Sequence, residues 1–195
     1  MLHSTLQAQS LNRENLAYNF SYFGETAIHP GIKVGVEYAF YEKTTTKKRW
    51  FKKRQERLGP KIKKHQFVWT GNLAFYNHPN NHSGLLLNGE IGWKRTKMRK
   101  GSTFATYLGA GYLHRFYNID TYQLGTNGEP DKITAAGQSA FVASFAVGFG
   151  RDLSVRRNLP IAYHIKPTVL FQTPYNHSGV LNAALEVGVT YKISQ

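Results

Sequence analysis

Apolar and polar side chains alternate along most of the chain with a period of two. Near the start, the large apolar residues Tyr18, Phe20 and Tyr22 are separated by small or polar ones, and Val187 and Val189 repeat this pattern near the end. Because successive side chains of a β-strand point to opposite faces, the alternation predicts strands with one apolar face. It occurs in residues 16–22, 32–41, 67–76, 85–94, 104–112, 141–150, 161–171 and 181–193. Eight such segments predict an all-β, antiparallel up-and-down barrel.

The composition of the two strand faces indicates which of them points inward. The polar faces are rich in Gly, Ala, Ser, Thr and Asn and carry few charges, which fits the narrow interior of an eight-stranded barrel. The apolar faces are bulky, with aromatic residues towards the strand ends, as on a wall that contacts lipid. A soluble lipocalin-like carrier would have a charged outer wall, and here the charges are concentrated in the connections. We therefore expect a transmembrane barrel and keep the small-molecule carrier as an alternative.

The composition agrees with one barrel domain and excludes several other classes. The chain has 195 residues, with 12 Tyr, 12 Phe, 18 Gly and no Cys, so it has neither a disulfide scaffold nor a thiolate metal site. The chain has no run of eighteen apolar residues, so no membrane-spanning helix is predicted. Residues 1–10 are typical of the tail of a signal peptide or of a disordered terminus. The barrel is expected to span residues 15–194, without a cofactor.

The strand count and pattern over residues 15–194 resemble the small outer-membrane barrels of the OmpA and OmpX type. The segments His29–Tyr38 and Pro174–Gly179 resemble those of uncharacterised outer-membrane barrels. The resemblance implies an integral protein of the bacterial outer membrane with both termini in the periplasm. It assigns residues 24–31, 77–84, 118–138 and 173–179 to the outer rim, and 43–65, 94–101 and 151–159 to the periplasmic rim.

The periplasmic rim carries most of the positive charge of the chain. The formal net charge is +14, and Lys43–Lys64 alone holds eleven Lys and Arg against the single acid Glu56. A turn as long as 43–65 is unusual on this side of such barrels, and an ordered loop of this length commonly has a function. We expect it to contact anionic outer-membrane lipid or a periplasmic or outer-membrane protein, rather than nucleic acid. The proposed contact residues are Lys47, Lys48, Arg49, Trp50, Lys52, Lys53, Arg54 and Arg57.

Charged residues also occur on faces that are predicted to point inward. An unpaired buried ion costs several kcal/mol, so charges inside a barrel must pair. We expect a plug of ion pairs and hydrogen bonds that fills the lumen, because eight strands leave little space for a channel. The expected members are Glu37, Glu90, Glu186, Lys33, Lys94, Lys166, Lys192, Arg115 and His164.

Histidines recur in the predicted outer turns, within the similar segments His78–Gly84 and Thr173–Gly179. Pro, Asn and Gly explain these segments as turn chemistry, so no metal is expected. The weaker alternative is that imidazoles converge on a transition metal, and its candidate ligands are His29, His78, His82 and His177.

An enzymatic role is the less favoured alternative. The PagL family of small outer-membrane barrels comprises lipid A deacylases with a His and a Ser on the outer wall. A His and a Ser on one strand share a face only at a spacing of two, and this chain has no His-x-Ser. In His82-Ser83 and His177-Ser178 the two residues are adjacent. We therefore expect a non-enzymatic structural or interaction component of an envelope assembly, with lipid A modification as the first alternative.

Overall fold

Eight long antiparallel strands close into one barrel. The computed structural model describes residues 15–26, 29–48, 59–79, 81–124, 129–133, 136–175 and 178–193. The barrel strands are β1 (Leu16–Glu25), β2 (Gly31–Lys47), β3 (Lys61–His78), β4 (His82–Lys97), β5 (Ser102–Tyr117), β8 (Gly137–Asp152), β9 (Ile161–Tyr175) and β10 (Ser178–Lys192). Each pairs with the barrel strand next in sequence, and β1 pairs with β10 to close the ring. The barrel predicted from the alternation is confirmed.

Two short elements lie in the connections. A small hairpin of β6 (Thr121–Leu124) and β7 (Pro130–Ile133) lies between β5 and β8, and a single helical turn, α1 (Ser154–Arg157), precedes β9. We call the end of the barrel that carries β6 and β7 the upper end. The lower end holds the start of β1 and the end of β10. Among the described residues, no helix has the length and hydropathy needed to cross a bilayer.

The outer wall is apolar along the middle of every barrel strand and aromatic towards both ends. Near the lower end, the Phe104 ring lies edge to face with Trp93 and Phe149, at centroid distances of 6.3 and 5.5 Å. Near the upper end, Tyr112 and Phe141 make a similar pair at 6.2 Å. Between these girdles lie exposed aliphatic residues, which we call the apolar belt: Val34, Leu73, Leu87, Ile91, Leu108, Val169 and Val187. An apolar band between two aromatic girdles is typical of a barrel wall that contacts lipid.

A β-bulge in β2 reverses the expected orientation of one residue. In the alternation of residues 32–41, Tyr41 shares the face of Lys33 and Glu37, which is predicted to point inward, but Tyr41 is 49% exposed. Ala39 pairs with Val68 and Tyr41 with Phe67, so Phe40 is an extra residue in β2. Because a bulge inserts one residue, each side chain that follows it in the strand points to the face opposite to the one that uninterrupted alternation predicts. The prediction for Tyr41 was therefore wrong.

The long basic turn is shorter than the sequence predicted. β2 continues to Lys47 and β3 begins at Lys61, and the two strands pair throughout this extension. The β-branched Thr44–Thr46 favour the extended backbone, and lysines are common on exposed strand edges. The connection therefore comprises residues 48–60 rather than 43–65. β2 and β3 form a basic hairpin that continues past the start of β1.

The lumen is not polar throughout, which corrects the expectation of a wholly polar interior. A buried apolar cluster fills its upper part, and it comprises Phe23, Ala74, Tyr76, Leu86, Leu113, Val142, Leu170 and Ala184. Several of these residues lie within runs of apolar residues, such as Leu85–Leu87, where the alternation marks no polar face. Both faces of the strand are apolar there, one towards the lumen and one towards the outside. Most of the luminal charged groups lie below this cluster, whereas Arg115 and Glu25 lie near Tyr76.

Candidate functional site

The centre of the lumen holds a cluster of two carboxylates and two ammonium groups. Lys33 Nζ donates to Glu186 Oε2 at 2.9 Å and lies 3.8 Å from Glu90 Oε1. Lys166 Nζ bridges the same two acids, at 3.0 Å from Glu90 Oε2 and 3.1 Å from Glu186 Oε2. All four side chains are at most 8% exposed. The cluster is electrically neutral when all four groups are charged, which offsets much of the cost of their burial.

Other polar side chains make further contacts with both carboxylates. The Thr70 hydroxyl and the Asn72 amide donate to Glu90 Oε2 at 3.1 and 3.3 Å. The Ser21 hydroxyl donates to Glu186 Oε1 at 3.1 Å, and His164 Nε2 lies 3.1 Å from the same oxygen. Because the carboxylates have several partners each, their positions are fixed from several strands of the barrel.

Below this cluster the lumen contains two further ion pairs and one small cavity. Lys94 Nζ donates to Glu37 Oε1 at 2.6 Å, and Lys192 pairs with Asp152 at the lower end. The cavity between the central cluster and these pairs has about 40 Å³ of space for water centres. One water needs roughly 10–15 Å³ of such space, so the cavity has room for a few waters and for no larger ligand.

All nine residues of the expected plug lie on the inner face. Seven of them take part in the ion pairs given above, and His164 contacts Glu186. The ninth, Arg115, is 4% exposed and lies in the upper lumen near Tyr76 and Glu25. The side chains thus fill the lumen from the apolar cluster to the lower end.

The described part of the lower end carries a dense group of cations, which we call the basic rim. Its members are Lys43, Lys47, Lys48, Lys61, Lys63, Lys64, Arg95, Lys97, Arg99, Lys100, Arg151, Arg156 and Arg157. The Arg95 guanidinium lies 5.9 Å from the ring centroids of both Trp93 and Phe104. The basic rim therefore follows directly on the lower aromatic girdle. Of the proposed contact residues only Lys47 and Lys48 are described; Arg49, Trp50, Lys52, Lys53, Arg54 and Arg57 lie outside the described residues.

The charges of the basic rim affect the pKa of His65, which lies below Phe67 and outside the apolar belt. Desolvation lowers the pKa of His65 below its ordinary value of 6.5, and the neighbouring charges of Lys63 and Arg95 lower it further. The folded state therefore resists protonation of His65. This contribution to stability is complete above pH 6.5 and is lost as the pH falls through the folded-state pKa.

A titration of His65 reports on the charge of whatever covers the rim. In zwitterionic micelles we expect an NMR titration to give a pKa below 6.5, and we expect Lys63→Gln to raise it by removing a neighbouring cation. Anionic amphiphiles should also raise the pKa by stabilising the imidazolium. A pKa that is the same in zwitterionic and anionic micelles would show that anions do not collect at the basic rim.

Three of the four outer-rim histidines meet at the upper end. The ring centroids of His29 and His78 are 3.7 Å apart, and those of His78 and His82 are 5.5 Å apart. The interplanar angles are 31° for the first pair and 24° for the second, which is stacked. No group of three or more His, Cys, Asp or Glu among the described residues could hold a metal ion. His177 lies outside the described residues.

The structure also forms a Ser–His pair that the sequence analysis missed. His114 on β5 and Ser139 on β8 are direct partners in the ladder between these strands. Their side chains point outward, and His114 Nδ1 lies 2.9 Å from Ser139 Oγ. A His-x-Ser motif lies on a single strand, whereas this pair joins β5 to β8, and its two residues are 25 positions apart in sequence. Only the register of β5 against β8 could have indicated it.

Comparison with known proteins gives a distant structural likeness and no family. Neither a protein-family model nor a curated protein matches the chain. The structure is similar to that of the outer membrane enzyme PagL, with a TM-score of 0.40 and 8% identity over 92% of this chain and 99% of that one. It is also similar to the beta domain of the Bordetella autotransporter BrkA, with a TM-score of 0.35 and 14% identity. This likeness covers 89% of this chain and 67% of that one. Neither likeness carries an activity over to this chain.

Proposed function

We propose that the chain is an integral β-barrel of the bacterial outer membrane that acts as an interaction component through its basic rim. The observation that carries the proposal is that apolar residues, paired charges and the remaining cations occupy different parts of the barrel. Its wall is apolar, the charges at the centre and lower end of its lumen are paired, and most of its other described cations lie in the basic rim. In this proposal both termini and the basic rim face the periplasm. A small-molecule carrier is disfavoured by the filled lumen, and we assign no reaction to the lumen or to the basic rim.

Anionic lipid headgroups are the first ligand we propose for the basic rim. The rim adjoins the aromatic girdle, and such girdles lie at the level of the headgroups. Each Lys or Arg near an anionic membrane surface contributes roughly 1 kcal/mol of attraction. The second candidate ligand is a protein, because one edge of the basic hairpin is unpaired in the part of the chain that the structure describes. β1 pairs with β2 only as far as Tyr38, so among the described residues β2 beyond Ala39 pairs with β3 alone.

Neutralising the hairpin and its neighbour tests the lipid proposal. We expect the combined substitution of Lys43, Lys47, Lys61, Lys63 and Lys97 by Gln to abolish preferential retention of phosphatidylglycerol over phosphatidylcholine. Native mass spectrometry of the barrel in mixed-lipid nanodiscs measures the ratio of retained phosphatidylglycerol to retained phosphatidylcholine. We expect this ratio to fall at least tenfold. Arg at the same five positions keeps the charge and should keep the preference. If the Gln variant and the wild type retain the same lipids, the rim does not bind headgroups.

Photo-crosslinking separates a protein partner from lipid. A photoreactive amino acid at Thr45, on the open part of β2, should capture a periplasmic protein in intact cells if the hairpin docks one. The matched control carries the same amino acid at Asn118, at the upper end, which should not capture that protein. Capture of lipid alone at Thr45 would leave the headgroups as the ligand.

A further inference from the structure

Three side chains form a hydrogen-bonded chain on the outer wall near the upper end. The Tyr112 hydroxyl donates to Ser139 Oγ at 2.6 Å, and Ser139 Oγ lies 2.9 Å from His114 Nδ1. Since the Ser139 oxygen accepts from Tyr112, its own proton is free to point at His114. His114 accepts this proton when its ring carries the other proton on Nε2. A serine whose hydroxyl donates to a neutral imidazole is the arrangement of an activated nucleophile and its base.

Neighbouring groups hold the His114 ring in place. The Phe116 ring packs edge to face against it at a centroid distance of 4.5 Å. Gly137 leaves the space that His114 needs, because a Cβ at this position would lie 2.9 Å from His114 Nε2. Among the described residues no carboxylate hydrogen-bonds His114, so Ser139 and His114 form a dyad rather than a triad.

The dyad lies where the ester groups of membrane lipids are found. Tyr112 and Phe141, which form the aromatic pair of the upper girdle, are 45% and 67% exposed. Aromatic girdles mark the interface between headgroups and hydrocarbon, and the ester carbonyls that join acyl chains to the headgroup lie at this depth. The exposed rings of Tyr112 and Phe141 offer an apolar surface for the acyl chain beside Ser139.

We propose that Ser139 and His114 form a catalytic dyad that hydrolyses acyl esters of membrane lipids at the upper end of the barrel. Ser139 Oγ attacks the ester carbonyl carbon while its proton passes to His114 Nδ1. The C–O bond to the lipid alcohol then breaks, and the alcohol leaves with the proton from His114. Water, deprotonated by His114, attacks the acyl-serine. It releases the fatty acid and restores the Ser139 hydroxyl, so the net reaction is ester plus water to acid plus alcohol. Tyr112 is a positioning residue that orients Ser139.

The dyad is independent of the basic rim, so the two proposals fail separately. The test uses the full chain folded in detergent micelles, with folding of each variant checked by its heat-dependent shift on a gel. An alkyl fluorophosphonate, which reacts with activated serines, should label the wild type and not Ser139→Ala. The matched control is Ser83→Ala. Ser83 is another upper-end serine, and its hydroxyl is bonded to the amide oxygens of Asn77 and Asn118 rather than to an imidazole. This variant should label like the wild type.

The second readout is release of fatty acid from vesicles of diacyl phosphatidylethanolamine or of lipopolysaccharide. The lipid that yields fatty acid identifies the source of the ester, and an ether-linked phosphatidylethanolamine should yield none. His114→Gln removes the base and should lower both labelling and release by about 10²-fold or more. Equal labelling of Ser139→Ala and wild type, undiminished rates in His114→Gln, or no release from either ester lipid would overturn the proposal.

Discussion

Replacing Glu186 by Gln is expected to lower the free energy of unfolding by about 3–5 kcal/mol. The substitution keeps the size of the side chain and removes its charge, so Lys33 and Lys166 remain buried with Glu90 as their one shared carboxylate. An uncompensated charge in a lumen that excludes bulk water causes this loss. Equilibrium unfolding in urea of the barrel folded into vesicles measures it.

Glu42→Gln provides the matched control for that loss. Glu42 pairs with Lys64 at 2.7 Å, but the two side chains are 40% and 29% exposed. Surface pairs of this kind contribute about 0–1 kcal/mol because water screens them. If Glu186→Gln cost no more than Glu42→Gln, the luminal ion pairs would not be a buried plug.

Replacing Leu108 by Arg is the second substitution with a large expected effect. Leu108 lies near the middle of β5 between Ile91 and Phe145, and all three side chains point outward and are exposed. An Arg on the lipid-facing side near the bilayer midplane costs about 2–4 kcal/mol. We expect a loss of this size in the free energy of unfolding from vesicles.

Ile119→Arg is the control for the effect of membrane depth. Ile119 is 65% exposed, much as Leu108 is at 68%, but it lies in the upper connection outside the apolar belt. Its replacement should change the free energy of unfolding by less than about 1 kcal/mol. A soluble barrel would tolerate Arg equally well at both positions, so equal small effects would contradict membrane insertion.

The alternation of side chains predicts the strands and their faces because each barrel strand has one face on the lumen and one on the outside. It fails where a local irregularity breaks the period. The bulge at Phe40 turns Tyr41 outward, and no feature of the sequence specifies that extra residue. The apolar runs around Leu86 and Val142 hide the inner face in the same way, because both of their faces are apolar.

The candidate sites were predictable to the extent that they depend on which face a residue occupies. The luminal charges follow from the alternation alone, and the structure adds which acid meets which base. The meeting of His114 with Ser139 depends on the register between β5 and β8. That register is set by the turns and packing of the whole barrel, and no local pattern reveals it. The extension of β2 to Lys47 was missed because a high charge density was taken to indicate a turn.

The most direct test of membrane insertion is the quenching of tryptophan fluorescence by lipids brominated in their acyl chains. A Trp50→Phe variant, folded from urea into such vesicles, reports from Trp69 and Trp93, and Trp69 is 49% exposed on the outer wall. We expect strong quenching relative to unbrominated vesicles, because these rings contact lipid. Unquenched fluorescence, together with a folded monomer that remains in the supernatant when the vesicles are pelleted, would contradict a membrane-spanning barrel.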